Sequence, residues 1–142
     1  FLEIDDFKTD VISNTSFENS TNDWGGSGYS NINSNASTGN WAVEIENGWL
    51  EKTIDVQEGQ MFCYKGDIKV GLFGMTTEFG IHFMDNNYNI LNQLAFMVTT
   101  TDYETFETVF TVPKGTKKMR IFVANWESGK KVYVDNIHLL KK

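Results

Sequence analysis

Met61-Phe62-Cys63-Tyr64-Lys65-Gly66-Asp67-Ile68-Lys69-Val70 is the stretch whose reading decides the fold. Its alternation puts Phe62, Tyr64, Ile68 and Val70 on one face and Cys63, Lys65, Asp67 and Lys69 on the other. A period of two marks a strand with one face on a core and the other turned outward. The same period recurs downstream. Phe79, Ile81 and Phe83 oppose Gly80, His82 and Met84, and Asp85-Asn86-Asn87-Tyr88-Asn89 has the composition of a hairpin turn. Further strands are expected over 93–99, 103–112, 119–126 and 132–140. In the third of these Met119, Ile121 and Val123 share one face, and Arg120, Phe122, Ala124 and Trp126 the other. Upstream, 42–46 and 50–56 alternate as two short strands with Gly48 as the break between them. Gly25-Gly26-Ser27-Gly28 reads as a flexible loop, which would hold Tyr29 at its edge.

About eight to ten short strands separated by turns, with no stretch of helical period, define an all-β chain. The expected architecture is a β-sandwich or jelly roll of two antiparallel sheets. Residues 12–142 form its single domain, and 1–11 are a linker or an added N-terminal strand. The chain opens with Phe and shows no signal peptide, so it reads as a piece of something longer, joined to further domains.

Composition narrows the function. With 142 residues, 40% hydrophobic and 14% aromatic, the chain can bury a real core. Twelve basic against nineteen acidic residues give a net charge of −7, which argues against nucleic acid as a partner. One cysteine, Cys63, excludes an internal disulfide framework and reads as a passive half-buried thiol. No apolar run approaches the roughly 20 residues of a membrane span. His82 and His138 are too few and too far apart for a triad, and no nucleophile-elbow, zinc-protease or phosphate-loop motif occurs. Glu44, Glu46, Glu104 and Glu107 read as solvated acids on exposed strand faces rather than a hydrolytic pair.

Asn14-Thr15-Ser16-Phe17-Glu18 followed by Trp24 is similar to the "N-G-x-F-E … W" opening of β-jelly-roll carbohydrate-binding modules, in the grouping of families four, nine, sixteen and twenty-two. Gly39-Asn40-Trp41-Ala42-Val43, the stretch 56–70, Phe110-Thr111-Val112-Pro113-Lys114-Gly115-Thr116 and Val132-Tyr133-Val134-Asp135-Asn136-Ile137 follow in the family's order. Together they cover roughly 12–140. Thr15 stands where the family has Gly, and 79–99 aligns with nothing in it.

The resemblance implies a non-catalytic module that docks a parent enzyme, bacterial and secreted or on the cell surface, onto a polysaccharide or oligosaccharide. The module would act as a monomer. It also implies a structural Ca²⁺ held by Glu18 and Asp135, with Asn40 and the carbonyls of the loop 37–40 completing the oxygen shell. The residues alone leave both acids equally readable as surface charges or as caps accepting backbone N–H groups. For the ligand, flat rings stack on sugar faces while polar side chains read hydroxyls. Trp126, Phe122 and Arg120 share one strand face, and His82, Asp67, Lys69 and Gln93 fall on the outward faces of their own strands. Trp49 and Tyr29 are candidates from loops, whereas Trp24 and Trp41 are expected to pack in the core. The alternative is a structural or adhesive β-sandwich of a surface or phage tail protein, with no glycan site of its own.

Overall fold

The computed structural model describes residues 6–142 and is all-β, with no α-helix among them. The strands are β1 (Thr9–Asp10), β2 (Gly25–Ile32), β3 (Ala42–Asp55), β4 (Met61–Val70), β5 (Thr77–Met84), β6 (Ile90–Val98), β7 (Glu104–Thr111), β8 (Lys118–Asn125) and β9 (Val132–Lys141). All pairings are antiparallel, in the order β6-β5-β8-β3-β9-β4-β7, with β1 on β9 and β2 on β3.

That continuous path curls into two layers. Tyr64 of β4 stacks on Phe79 of β5 at 4.0 Å, and Phe83 of β5 meets Phe110 of β7 edge-on at 5.6 Å. The Tyr64 hydroxyl, buried between the layers, donates to the Phe122 carbonyl at 3.1 Å. One layer is therefore β7-β4-β9-β1 and the other β6-β5-β8, with aromatic and aliphatic side chains interdigitated between them as in a sandwich. The expected fold class is what the structure has.

Strand β3 belongs to both layers. Val43–Ile45 pair with β9, and 48–55 pair with β8. The chain thus runs straight through Gly48, where the sequence pattern suggested a break. Asn47 sits in the left-handed region (φ 47), which adds a bulge and shifts the pleat by one residue. Before it the odd positions Val43 and Ile45 are buried; after it the even position Leu50 is, and Trp49 and Glu51 turn outward. Gly48 is needed because β2 crosses there: a β-carbon would stand 2.0 Å from the Ser27 carbonyl oxygen.

The same crossing corrects the reading of the glycine-rich segment. It is strand, not loop, because side chains are dispensable where two backbones lie this close. Tyr29 consequently sits half-buried against the core, its hydroxyl donating to the Trp24 carbonyl at 3.3 Å. Trp24 is buried on Phe17 at 5.2 Å, but Trp41 is only half-buried, and Cys63 is fully rather than half-buried. At the start of the chain Thr9–Asp10 add a strand to β9 and Phe7 is buried; the first five residues lie outside the described ones.

Candidate functional site

The outward face of β3, β8 and β5 carries an open groove of about 570 Å³, lined by Trp49, Glu51, Glu78, His82, Arg120, Phe122, Ala124 and Trp126. Register builds it row by row. Trp49, Ala124 and Glu78 are direct neighbours across three strands; Glu51, Phe122 and Gly80 form the next row, and Thr53, Arg120 and His82 the third. Cross-strand neighbours on one face touch, so these rows make a continuous floor.

Phe122 is the floor's fixed centre, 6% exposed. Its ring lies over Gly80, where a β-carbon would come within 2.5 Å of it, and meets His82 at 4.5 Å. Arg120 is held from two sides: Nε lies 3.3 Å from Glu51 Oε2, and Nη2 donates to Met84 Sδ at 3.3 Å. The contact with Glu51 is an ion pair by distance but lacks the alignment of a hydrogen bond, so among the described residues Nε has no hydrogen-bond partner. Burial, and then the Arg120 cation, hold His82 below the ordinary imidazole pKa against the opposing pull of Glu51. The neutral form of the ring is therefore favoured at pH 7, and among the described residues its buried Nδ1 has no partner.

One end of the groove is aromatic. Trp126 is 63% exposed and packs on Trp49 at 5.8 Å with the rings tilted by 37°. An indole that keeps most of its surface in water beside a second indole offers a flat apolar platform.

Five of the nine residues expected to bind ligand come together here: Trp126, Phe122, Arg120, His82 and Trp49. Trp49 arrives on a strand rather than a loop. Gln93 is exposed on the edge strand β6, directly opposite His82, on the same face but outside the groove lining. Asp67 and Lys69 are not brought to the groove: they face outward from the other layer. Tyr29 packs inward, as described. Glu51 and Glu78 were not among the sequence candidates, although the alternation that turned Arg120 outward does so for their neighbours.

Glu18 and Asp135 meet on one loop. Asp135 is fully buried and accepts the backbone N–H of Ser37 (3.0 Å), Thr38 (3.1 Å) and Asn136 (2.9 Å). Glu18 accepts the N–H of Asn40 on both oxygens at 3.2 Å. Burial raises the Asp135 pKa, although the three N–H groups oppose it, and the charge of Asp67 raises it further. Asp67 accepts from the Ser37 and Thr105 hydroxyls and from Asn136 Nδ2; burial pushes its pKa up, yet these bonds outweigh it and the net shift is downward. Lys69 Nζ reaches Asn35 Oδ1 at 3.3 Å and lies over the Tyr103 and Tyr133 rings. These carboxylates cap the loop through N–H groups, and their remaining lone pairs suit a hard cation. Among the described residues no three His, Cys, Asp or Glu side chains converge on one point, so backbone carbonyls would have to complete any metal shell.

No family model matches the sequence, and no curated protein matches it. Solved structures do match in fold. A family 16 carbohydrate-binding module superposes with a TM-score of 0.75 at 20% identity, covering 90% of this chain and 97% of that one. The C-terminal family 22 carbohydrate-binding module of Clostridium thermocellum Xyn10B gives 0.71 at 11% identity, covering 98% and 95%. The enzymatically active domain of bacteriophage CBA120 tailspike protein 4 gives 0.73 at 18% identity, covering 94% of this chain but only 21% of that one. The chain thus has the jelly-roll fold of carbohydrate-binding modules, the grouping its motifs resemble. Among the described residues no helix is long and apolar enough to cross a membrane.

Proposed function

We propose that this domain is a non-catalytic carbohydrate-binding module, and that the β3-β8-β5 groove is where it holds a polysaccharide or oligosaccharide. The observation that carries this reading is the Trp49–Trp126 pair beside a row of polar side chains. A pyranose ring stacks on the exposed indole while Arg120, His82 and the acids face its hydroxyls. The likeness of the fold to family 16 and family 22 carbohydrate-binding modules supports the non-catalytic reading.

The likeness to modules that match this chain over nearly their whole length supports a role as one part of a larger protein. In this reading the parent is a bacterial enzyme, secreted or on the cell surface, and the domain docks it to its substrate as a monomer. A Ca²⁺ ion held by Glu18, Asp135 and the loop ending at Asn40 would tie the first and last parts of the chain together. It would be structural and remote from the sugar. The tailspike likeness favours the second reading, an adhesive or structural domain of a surface or phage protein. The groove favours the first, because a spacer needs no exposed aromatic pair.

The test is a glycan array on the isolated domain, followed by titration of the best ligand. Trp126→Ala should weaken binding by about ten- to a hundredfold at unchanged melting temperature, by analogy with other stacking platforms. Parent-like binding by the variant would place the site elsewhere.

A further inference from the structure

The two acids of the groove are not equivalent. Glu51 lies against Arg120, its charge matched at 3.3 Å. Glu78 is half-buried in the same groove, and among the described residues its side chain makes no hydrogen bond or ion pair. Every other charged group of the groove has a counter-charge, and His82 is neutral, so the unbalanced charge of the site belongs to Glu78.

Its position is equally specific. Glu78 and Trp49 are the two ends of one cross-strand row whose middle member is Ala124. Two strand spacings separate them, roughly 10 Å, and the small alanine leaves that interval open. Trp49 and Trp126 form one wall of this recess and the Glu78 carboxylate the other. A pyranose resting on the indoles turns its hydroxyl edge toward Glu78. A carboxylate is acceptor-only, and two adjacent hydroxyls can donate to its two oxygens with charge-assisted bonds. A uronate placed there would instead bring a second carboxylate against the first, with no cation free to separate them.

We infer that Glu78 is the specificity-determining residue of the groove, reading a pair of adjacent hydroxyls on an uncharged pyranose and rejecting uronic acids. The inference rests on the groove being the glycan site, and the two can fail separately. Glu78→Gln keeps size and shape and removes only the charge. Parent, Glu78→Gln and Trp126→Ala are titrated with xylohexaose, cellohexaose and β-1,4-galactotriose as neutral probes and with trigalacturonate as the anionic one. The parent should bind a neutral probe and not trigalacturonate. Glu78→Gln should lose about tenfold on the neutral probe, the difference between a charged and a neutral acceptor, and gain measurable trigalacturonate binding. If Trp126→Ala abolishes binding while Glu78→Gln matches the parent on both probe classes, the groove stands and the role of Glu78 is overturned. If the parent binds none of the probes, or Trp126→Ala binds like the parent, the groove reading itself falls and takes this inference with it.

Discussion

The outward groove and the loop cluster around Asp135 use the same side-chain types in opposite ways. Around Asp135 the carboxylates are answered from within the protein: Asp135 by three backbone N–H groups, Asp67 by two hydroxyls and an amide, Glu18 by Asn40. In the groove, among the described residues, the Glu78 side chain has no partner, His82 Nδ1 and Arg120 Nε have no hydrogen-bond partner, and Trp126 stands in water. Carboxylates answered by several N–H and O–H groups hold a loop in place, whereas unpaired polar groups lining an open groove are available to a ligand. Both regions looked like candidate sites in the sequence. What separates them is how far the protein satisfies its own polar groups.

The sharpest way to break this contrast is Asp135→Ala. It removes one acceptor from three N–H groups and leaves a hole at a fully buried position, so a loss of about 3 kcal/mol in denaturant unfolding is expected. Glycan binding by the folded fraction should persist. The same variant sharpens the metal proposal. A cation bound only by the native state raises its stability, so EDTA should lower the parent's melting temperature and leave the variant's unmoved. A parent melting curve unchanged in EDTA, with metal removal confirmed by elemental analysis, would leave the N–H caps as the whole explanation of Glu18 and Asp135.

Gly80→Ala should have a smaller effect on the other side of the contrast. The new methyl would overlap the Phe122 ring, which must tilt or push His82 aside. Overpacking of this kind costs about 1–3 kcal/mol. Because the displaced ring is the groove floor, binding should weaken as well, separating this variant from Asp135→Ala. A variant that loses stability and binds like the parent would show that Phe122 is only a packing residue.

How much of this was legible in the sequence depends on how regular each strand is. β8 has no bulge, so plain alternation put Arg120, Phe122 and Trp126 on one outward face. β3 carries its bulge at Asn47, and the change of parity made one strand look like two and set Trp49 in a loop. β2 has too few side chains to show any period, so the sequence alone does not reveal that Tyr29 packs inward. Glu78 escaped because it lies just ahead of the alternating stretch that marked β5. Asp67 and Lys69 show a different limit. Alternation says that a residue faces outward but not from which layer, and two outward faces of a sandwich look away from each other. Only the pairing of β4 with β7 and β9 assigns these residues to the Asp135 side.

The smallest expected effect is the pH response of His82. Its folded-state pKa is depressed, first by burial and then by Arg120. The unfolded chain, with an imidazole pKa of about 6.5, therefore binds the proton more readily. Its contribution to stability is complete above that value and is lost as pH falls through the interval between the unfolded and the lower folded pKa. Glu51 opposes the shift and keeps it modest. Asp67 also has a depressed pKa, but its window lies lower, below the ordinary carboxylate value, so the two do not overlap. Melting temperatures of the parent and His82→Gln should be compared from pH 7.5 down to 5. The parent should lose more over that range, and the gap should shrink when Arg120→Gln removes the neighbouring cation. Parallel curves for parent and His82→Gln would mean that solvent already satisfies the imidazole, and that the groove's unanswered polarity resides in Glu78 and Arg120 Nε.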